Sequence, residues 1–397
     1  MDSLLVPCIR SAGLKIVHLI TRLIVGGAQE NTLLSCEGLH QRGHEVILIT
    51  GPSLGPEGSL EARAAAGGYR VVHLPSMVRN PHPIDDFSAY RALKKLFSEL
   101  KPDVVHTHSS KAGIIGRAAA ARVGAGLIVH TIHGLAFHPY QSAPINWLWI
   151  ALERYAARRC DYIVCVADAM TRQALAAGIG EARQYSTIYS GMDVEPFLHP
   201  PRDRTAVRHA LGIPQDRIVI GTLARLQPLK GHDDILKIAG QLIADNPQLH
   251  FLWIGDGVFR ARLEQAIAAA GLTPHFTFTG LISPAEVPGF LPAMDILVHP
   301  SYREGLPRAL PQALLAGVTV IAYDCDGAAE VCRNCQTGLL VRPGDVNALA
   351  EAVATLAGDA ALRAALANKG RELCRRQFDA QLMVDKLDEL YRRPKLR

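Results

Sequence analysis

The most chemically suggestive stretch of this sequence is Pro300-Ser301-Tyr302-Arg303-Glu304-Gly305-Leu306-Pro307, which leads into a helical pattern over Arg308–Leu315. A carboxylate at the positive end of a helix stays ionised and accepts hydrogen bonds, so Glu304 is suited to hold hydroxyl groups. A plain helix-start carboxylate is the competing reading. Upstream, Gly221-Thr222-Leu223-Ala224-Arg225 ends a strand pattern, and Lys230-Gly231 follows five residues after the arginine. A guanidinium and an ammonium fixed on one strand-to-helix loop suit a diphosphate whose negative charge grows as it departs. Two solvated cations would carry the same letters.

Histidines gather earlier in the chain. His106-Thr107-His108-Ser109-Ser110-Lys111 ends one strand pattern and His130-Thr131-Ile132-His133-Gly134 the next, with alternation pointing His106 and His108 the same way. A single such histidine is usually a hydrogen-bonded structural residue; several at adjacent strand ends favour function. No Asp or Glu accompanies them at ligand spacing, which disfavours a metal centre. Gly26 and Gly27 sit at the first strand-to-helix turn, where a backbone without side chains approaches a phosphate or sugar closely; a ligand-free tight turn is equally compatible. Neither this pair nor Gly255-Asp256-Gly257 has the third glycine of a dinucleotide fingerprint.

The elements that must position these residues alternate. Apolar runs at Lys15–Ile20, Glu45–Thr50, Arg70–Leu74, Asp103–His106, Leu127–Thr131, Asp161–Val166 and Gln184–Tyr189 are separated by helical patterns, the second of them Glu57–Ala66. A second series begins at Arg217–Leu223 and continues through His250–Ile254, His275–Phe278, Ile296–His299, Thr319–Ala322 and Leu339–Val341. Continuous apolar strands alternating with helices specify parallel sheets covered on both faces, and such sheets bind ligands beyond the carboxyl ends of their strands. The expectation is an α/β chain of two Rossmann-like doubly wound domains, 1–195 and 196–378, with a cleft between them. A last amphipathic stretch, 379–397, packs back on the first domain.

Composition narrows the class. The 397 residues carry 42 Lys and Arg against 37 Asp and Glu, too even a balance and too scattered for a nucleic-acid surface. Eight cysteines spread along the chain do not form the dense framework of a small secreted domain, so reduced thiols are expected. Cys332 and Cys335, with Cys325 nearby, could offer thiolates to zinc, but no second pair or histidine stands at finger spacing. The apolar stretches Ala143–Leu152 and Ala313–Ala322 fall short of the roughly 18 residues of a membrane span, and Met1–Arg10 lacks the features of a signal peptide. The expected location is the cytoplasm, with peripheral contact at the inner membrane face as an extension of it.

Taken in order, these motifs resemble glycosyltransferase family 4, the retaining enzymes of the GT-B fold, from about Lys15 to Arg376. Further matching pieces are Tyr189-Ser190-Gly191-Met192-Asp193, Gly327-Ala328-Ala329-Glu330 and Gly338-Leu339-Leu340-Val341. The resemblance implies transfer of a hexose or N-acetylhexosamine from a UDP- or GDP-linked sugar to a hydroxyl of a glycan or polyprenyl-linked sugar, with anomeric retention and no metal or other cofactor. It places Gly26, Gly27, Arg225, Lys230, Gly255, Gly305, Leu306 and Gln312 at the donor, and His133 and Glu304 at the reacting sugar. Gln312 stands where the family's E-x7-E motif has its second glutamate, so the ribose contact there has no charge assistance.

The acceptor side resembles bacterial enzymes that build surface polysaccharide on lipid-linked sugars, with His108 and Lys111 as acceptor contacts. Phe137–Trp149, holding Tyr140, Trp147 and Trp149 ahead of Arg154, Arg158 and Arg159, is a candidate membrane-docking segment; a core-packed helix is the alternative. Three rival functions remain: a nucleotide-sugar epimerase of the same fold, with Glu304 and Glu330 as its carboxylates, a binding module without turnover, and a glucan synthase or phosphorylase-like role, which the short chain disfavours.

Overall fold

The computed structural model describes residues 13–53 and 58–396; Met1–Arg10, Cys8 and the start of the expected helix Glu57–Ala66 lie outside them. Among the described residues the first sheet contains β1 (Lys15–Arg22), β2 (Glu45–Gly51), β3 (Arg70–His73), β4 (Val104–His108), β5 (Leu127–Ile132), β6 (Tyr162–Cys165) and β7 (Tyr185–Thr187). Their order is β3-β2-β1-β4-β5-β6-β7. The second contains β8 (Ile218–Leu223), β9 (Leu249–Ile254), β10 (Phe276–Gly280), β11 (Ile296–His299), β12 (Thr319–Tyr323) and β13 (Gly338–Val341), in the order β10-β9-β8-β11-β12-β13. The pairings of β1 with β2 and β4, and of β8 with β9 and β11, are all parallel, as expected for strands buried on both faces.

The chain divides into two compact units. One contains the described residues up to Thr131, Ala151–Ile163 and those from Leu387 onward; the other contains Ile132–Ile150 and Val164–Lys386. The second unit's core surrounds Trp253, whose indole stands edge-on to Phe276 and Phe278 at 5.3 Å, and includes Ile220, Val298, Ile321 and Leu349. In the first unit β1 is almost wholly buried, and His18 pairs in register with His106 of β4.

Both sheets reverse winding direction between their first and fourth strands, β1/β4 and β8/β11. Loops leaving neighbouring strands there diverge to opposite faces and open a crevice. This topology sets the loop after β8, with Arg225 and Lys230, beside the loop after β11, with Glu304. It does the same for Gly26 and Gly27 after β1 and Ser109–Lys111 after β4.

Local differences from the sequence reading have simple causes. The strand expected at His275–Phe278 begins at Phe276, because Thr273–His275 closes a 3-10 turn. Around the expected boundary at residue 195, where Pro196, Pro200 and Pro201 cluster, the chain forms the short helix Glu195–Leu198, followed by Arg204–Ala210; Pro196 fits the first turn of the former, where no amide donor is needed, and Asp203 caps the latter through Ala206 N. Among the described residues, the helix expected over Glu57–Ala66 spans Glu61–Ala66.

Candidate active site

Glu304 anchors the site of the second unit. Its Oε1 receives Lys230 Nζ at 2.5 Å and His299 Nε2 at 3.0 Å. Its backbone N–H donates to Asp326 Oδ2 at 2.7 Å. Among the described residues, Oε2 carries no hydrogen bond. Burial alone would push this carboxyl toward neutrality; the Lys230 ammonium and the His299 hydrogen bond outweigh it and hold the group well below the usual carboxylate range. An ionised carboxylate with one oxygen fixed and the other open is a directed acceptor for hydroxyl donors.

Tyr302, two residues ahead of Glu304, is fixed independently. Tyr302 Oη donates to Asp234 Oδ2 at 2.5 Å, Tyr323 Oη reaches the same oxygen at 3.0 Å, and Lys237 takes Oδ1 at 2.7 Å. Asp326 adopts a left-handed backbone, φ 45°, which a non-glycine residue holds only where surrounding structure requires it. Here its two oxygens tie Glu304 N to Gln173 Nε2.

Gly305 lies against the backbone of His133: a Cβ there would come 1.9 Å from the His133 carbonyl oxygen. This brings His133, expected at the reacting sugar, beside the Glu304 loop. Its imidazole pKa is lowered to about 3, first by burial and then by the Arg308 cation, so it is neutral at physiological pH. Arg308 donates to Ser190 Oγ at 3.3 Å and Gly191 O at 3.1 Å, joining the start of the Gln312 helix to the Tyr189–Asp193 motif.

The other donor residues take distinct positions. Arg225 is exposed on the loop after β8, and Gly255 (φ 137°) lies beneath it, where a Cβ would meet Ala224 O at 2.2 Å. Leu306 is buried, so only its backbone could serve a ligand. Gln312 is partly buried on the helix Ala309–Leu315. In the first unit Gly26 and Gly27 begin the helix Gly27–Gln41, Gly27 being exposed.

The two residues expected at the acceptor are engaged elsewhere. His108 is fully buried, with Nε2 2.9 Å from His18 Nδ1, so it offers no surface to an acceptor. Lys111 Nζ pairs with Asp86 at 2.5 Å and donates to Asn80 O at 2.6 Å. Sequence alternation identified His106 and His108 but not their third neighbour, His18, which register supplies. Nitrogens of these three rings converge within 4.8 Å, a set that could hold a metal. Instead His106 bonds Thr131 Oγ1 at 2.7 Å and Tyr391 Oη at 2.5 Å, and His18 bonds His108. The proposed thiol set does not assemble: Cys325 and Cys332 are buried with their S–H groups on the carbonyls of Ser301 and Leu339, and Cys335 is exposed.

Glu330, the second carboxylate an epimerase would need, has both oxygens occupied. They accept the backbone N–H groups of Asp168 and Ala169 at 2.9 and 2.8 Å, capping the helix Asp168–Ala176. His299, Asp234 and Asp326 went unrecognised in sequence, though His299 ends β11 just ahead of the chemical loop.

Residues 25–196 match Glycosyltransferase Family 4, and residues 203–373 match Glycosyl transferases group 1. A relative in Escherichia coli, the UDP-Gal:alpha-D-GlcNAc-diphosphoundecaprenol alpha-1,3-galactosyltransferase, is 27% identical over 385 residues, covering 95% of this chain and 96% of its own. The 2-deoxystreptamine glucosyltransferase of Streptomyces kanamyceticus is 32% identical over 272 residues, 67% of this chain and 70% of its own. Among solved structures, Anabaena Alr3699/HepE in complex with UDP superposes with a TM-score of 0.81 at 22% identity, covering 95% of this chain and 99% of that one. That structural likeness shows the GT-B fold alone. The sequence relatives and the matches to both halves show more, and the chain belongs to the family 4, group 1 glycosyltransferases.

Proposed function

We propose that this protein is a retaining, metal-independent hexosyltransferase or N-acetylhexosaminyltransferase that uses a UDP- or GDP-linked sugar. The acceptor is a hydroxyl of a glycan or lipid-linked sugar in bacterial surface polysaccharide synthesis. The observation that carries this reading is the meeting of Lys230 and Glu304 across the β8/β11 crevice. Lys230 and exposed Arg225 are the cations for a departing diphosphate, and Glu304 Oε2 is the acceptor for sugar hydroxyls. Names of relatives support both ends: UDP-Gal and a diphosphoundecaprenol-linked sugar for the E. coli protein, and GDP-mannose with a phosphatidylinositol mannoside for mycobacterial ones.

The chain's own residues account for the steps. Neutral His133 can donate or accept a hydrogen bond beside the reacting sugar without adding charge. Lys230, Arg225 and the helix end behind Gly305 stabilise the leaving diphosphate as its bond lengthens. No protein nucleophile is required if the acceptor hydroxyl attacks on the face the diphosphate leaves and passes its proton to the departing phosphate oxygen.

Peripheral membrane contact forms part of the proposal. In the described residues no helix is long and apolar enough to cross a membrane. The helix Ala143–Ala157 nevertheless turns Trp147 (71% exposed), Leu148 and Tyr155 outward on the face that carries exposed Arg154, with Arg158 exposed just beyond its end. Aromatic and cationic side chains on one face suit an anionic lipid surface.

The test is incubation of purified protein with UDP- and GDP-sugars and octyl glycoside acceptors, in EDTA. The expected product is one new glycoside whose anomeric configuration, read by NMR, matches the donor's. An epimerised donor, an inverted product or strict dependence on added metal would refute the corresponding part.

A further inference from the structure

A cavity of about 620 Å³ opens within the second unit on one side of Glu304. Neither Arg225 nor Lys230 lines it. We propose that this cavity receives an uncharged sugar residue of the acceptor, a reading that rests on the transferase function above.

Three observations carry the proposal. First, Arg303 lines the cavity and is partly buried, and among the described residues its guanidinium carries no hydrogen bond and no ion pair. Burial lowers its pKa, while the Asp326 and Glu304 carboxylates pull the other way from beyond ion-pair distance. Its fork of N–H donors is therefore available to a ligand. Second, Tyr140 is about half exposed and stands edge-on to Tyr302, with ring centroids 5.5 Å apart. Both rings line the cavity, and an aromatic wall is what the C–H face of a pyranose packs on. Third, charge selects the ligand: with Glu304 balanced by Lys230, Asp324 and Asp326 still contribute two carboxylates against the single guanidinium. That balance repels a phosphate or a uronate and suits neutral hydroxyls, which donate to carboxylates and accept from Arg303.

Position distinguishes the acceptor from the donor. The diphosphate cations are absent from this wall, whereas Glu304, which grips the donor sugar in the proposed function, forms part of it. A sugar in the cavity would therefore adjoin the donor sugar on the side away from the nucleotide. Gln173, tied to Asp326 at 3.0 Å, belongs to the same wall.

The experiment uses the full chain and its Tyr140→Ala and Arg303→Gln variants. Binding of octyl α-D-glycosides of glucose, galactose, mannose and N-acetylglucosamine is measured by saturation-transfer NMR and titration, and binding of the matched nucleotide sugar by calorimetry. At least one glycoside is expected to bind the wild type and to lose tenfold or more in affinity in each variant, with donor affinity held within twofold. The proposal is overturned if no glycoside binds the wild type, if glycoside affinity survives both substitutions, or if the loss falls on the donor instead. Turnover of the nucleotide sugar by the wild type is scored separately, so failure of the transferase reading is told apart from failure of this one.

Discussion

His299 Nε2 lies 3.0 Å from Glu304 Oε1, the oxygen on which Lys230 also ends, and His299 Nδ1 is buried with no hydrogen-bond partner among the described residues. A carboxylate only accepts, so Nε2 carries the proton and the imidazole serves as a fixed donor. Two donors on one oxygen set the plane of the carboxylate and direct Oε2 outward. Hydrogen bonds to charged groups contribute about 1.5–3 kcal/mol, or roughly 10- to 100-fold in a rate that depends on them. His299→Phe is expected to lower kcat by that factor while UDP or GDP affinity stays within twofold. His299→Gln, whose amide can still donate, recovers most of the loss. Equal kcat for wild type and the Phe variant would remove His299 from the positioning of Glu304.

His133 gives a prediction about pH. Its pKa, lowered from 6.5 to about 3, leaves the ring uncharged throughout the usual assay range. His133→Ala is expected to reduce transfer by tenfold or more, by the same factor at every pH from 5.5 to 8. A factor that shrinks toward pH 5.5 would show the imidazole titrating in that range.

Much of this site was legible because parallel α/β topology delivers loop residues to predictable places. Once strands ending at Leu223 and His299 were placed, Arg225, Lys230 and Glu304 had to lie at the carboxyl edge of one sheet. Other features depend on long-range contacts that no local pattern encodes. His108 carries the letters of a ligand-binding loop yet is buried against His18 on β1, 90 positions earlier in the chain. Glu330 reads as a free carboxylate until the amides of Asp168 and Ala169, 161 and more residues earlier, occupy it. Trp147 and Trp149 are indistinguishable by composition, and only helical phase turns the first outward.

Arg117 and Glu153 form an ion pair at 2.6 Å with both side chains almost wholly buried. Removing one partner strands the other charge, which costs about 3–5 kcal/mol, whereas replacing both with apolar groups can be nearly neutral. Glu153→Ala is expected to lower Tm by several degrees, and Arg117→Met with Glu153→Leu to restore much of it. Thermal unfolding of the three proteins decides this, and a Tm for Glu153→Ala within one degree of wild type would contradict it.

The outward face of Ala143–Ala157 predicts lipid dependence. Sedimentation with vesicles containing phosphatidylglycerol should retain the wild type at low salt and release it as salt rises, because screening weakens its arginine contacts. Trp147→Ser and Arg158→Glu should each cut binding several-fold with activity on soluble acceptors intact. Equal binding to neutral vesicles, or no effect of either change, would rule this face out.

Acid stability follows from the buried histidines. His18 is fully buried, its Nδ1 2.9 Å from His108 Nε2, and burial lowers its pKa from 6.5 to about 3. The folded chain therefore keeps this ring neutral where the unfolded chain protonates it. Stability from this site is fully present above pH 6.5 and is lost progressively as pH falls toward 3, by about 1.4 kcal/mol per pH unit once well below 6.5. His232 and His250, each lowered to about 4 chiefly by burial, act in the same direction over a narrower window. Tm should fall steadily between pH 6.5 and 4.5. His18→Gln keeps a hydrogen-bonding group but removes one titration, so its Tm should converge on the wild-type value as pH drops across that range. Parallel curves would mean that His18 takes up no proton on unfolding.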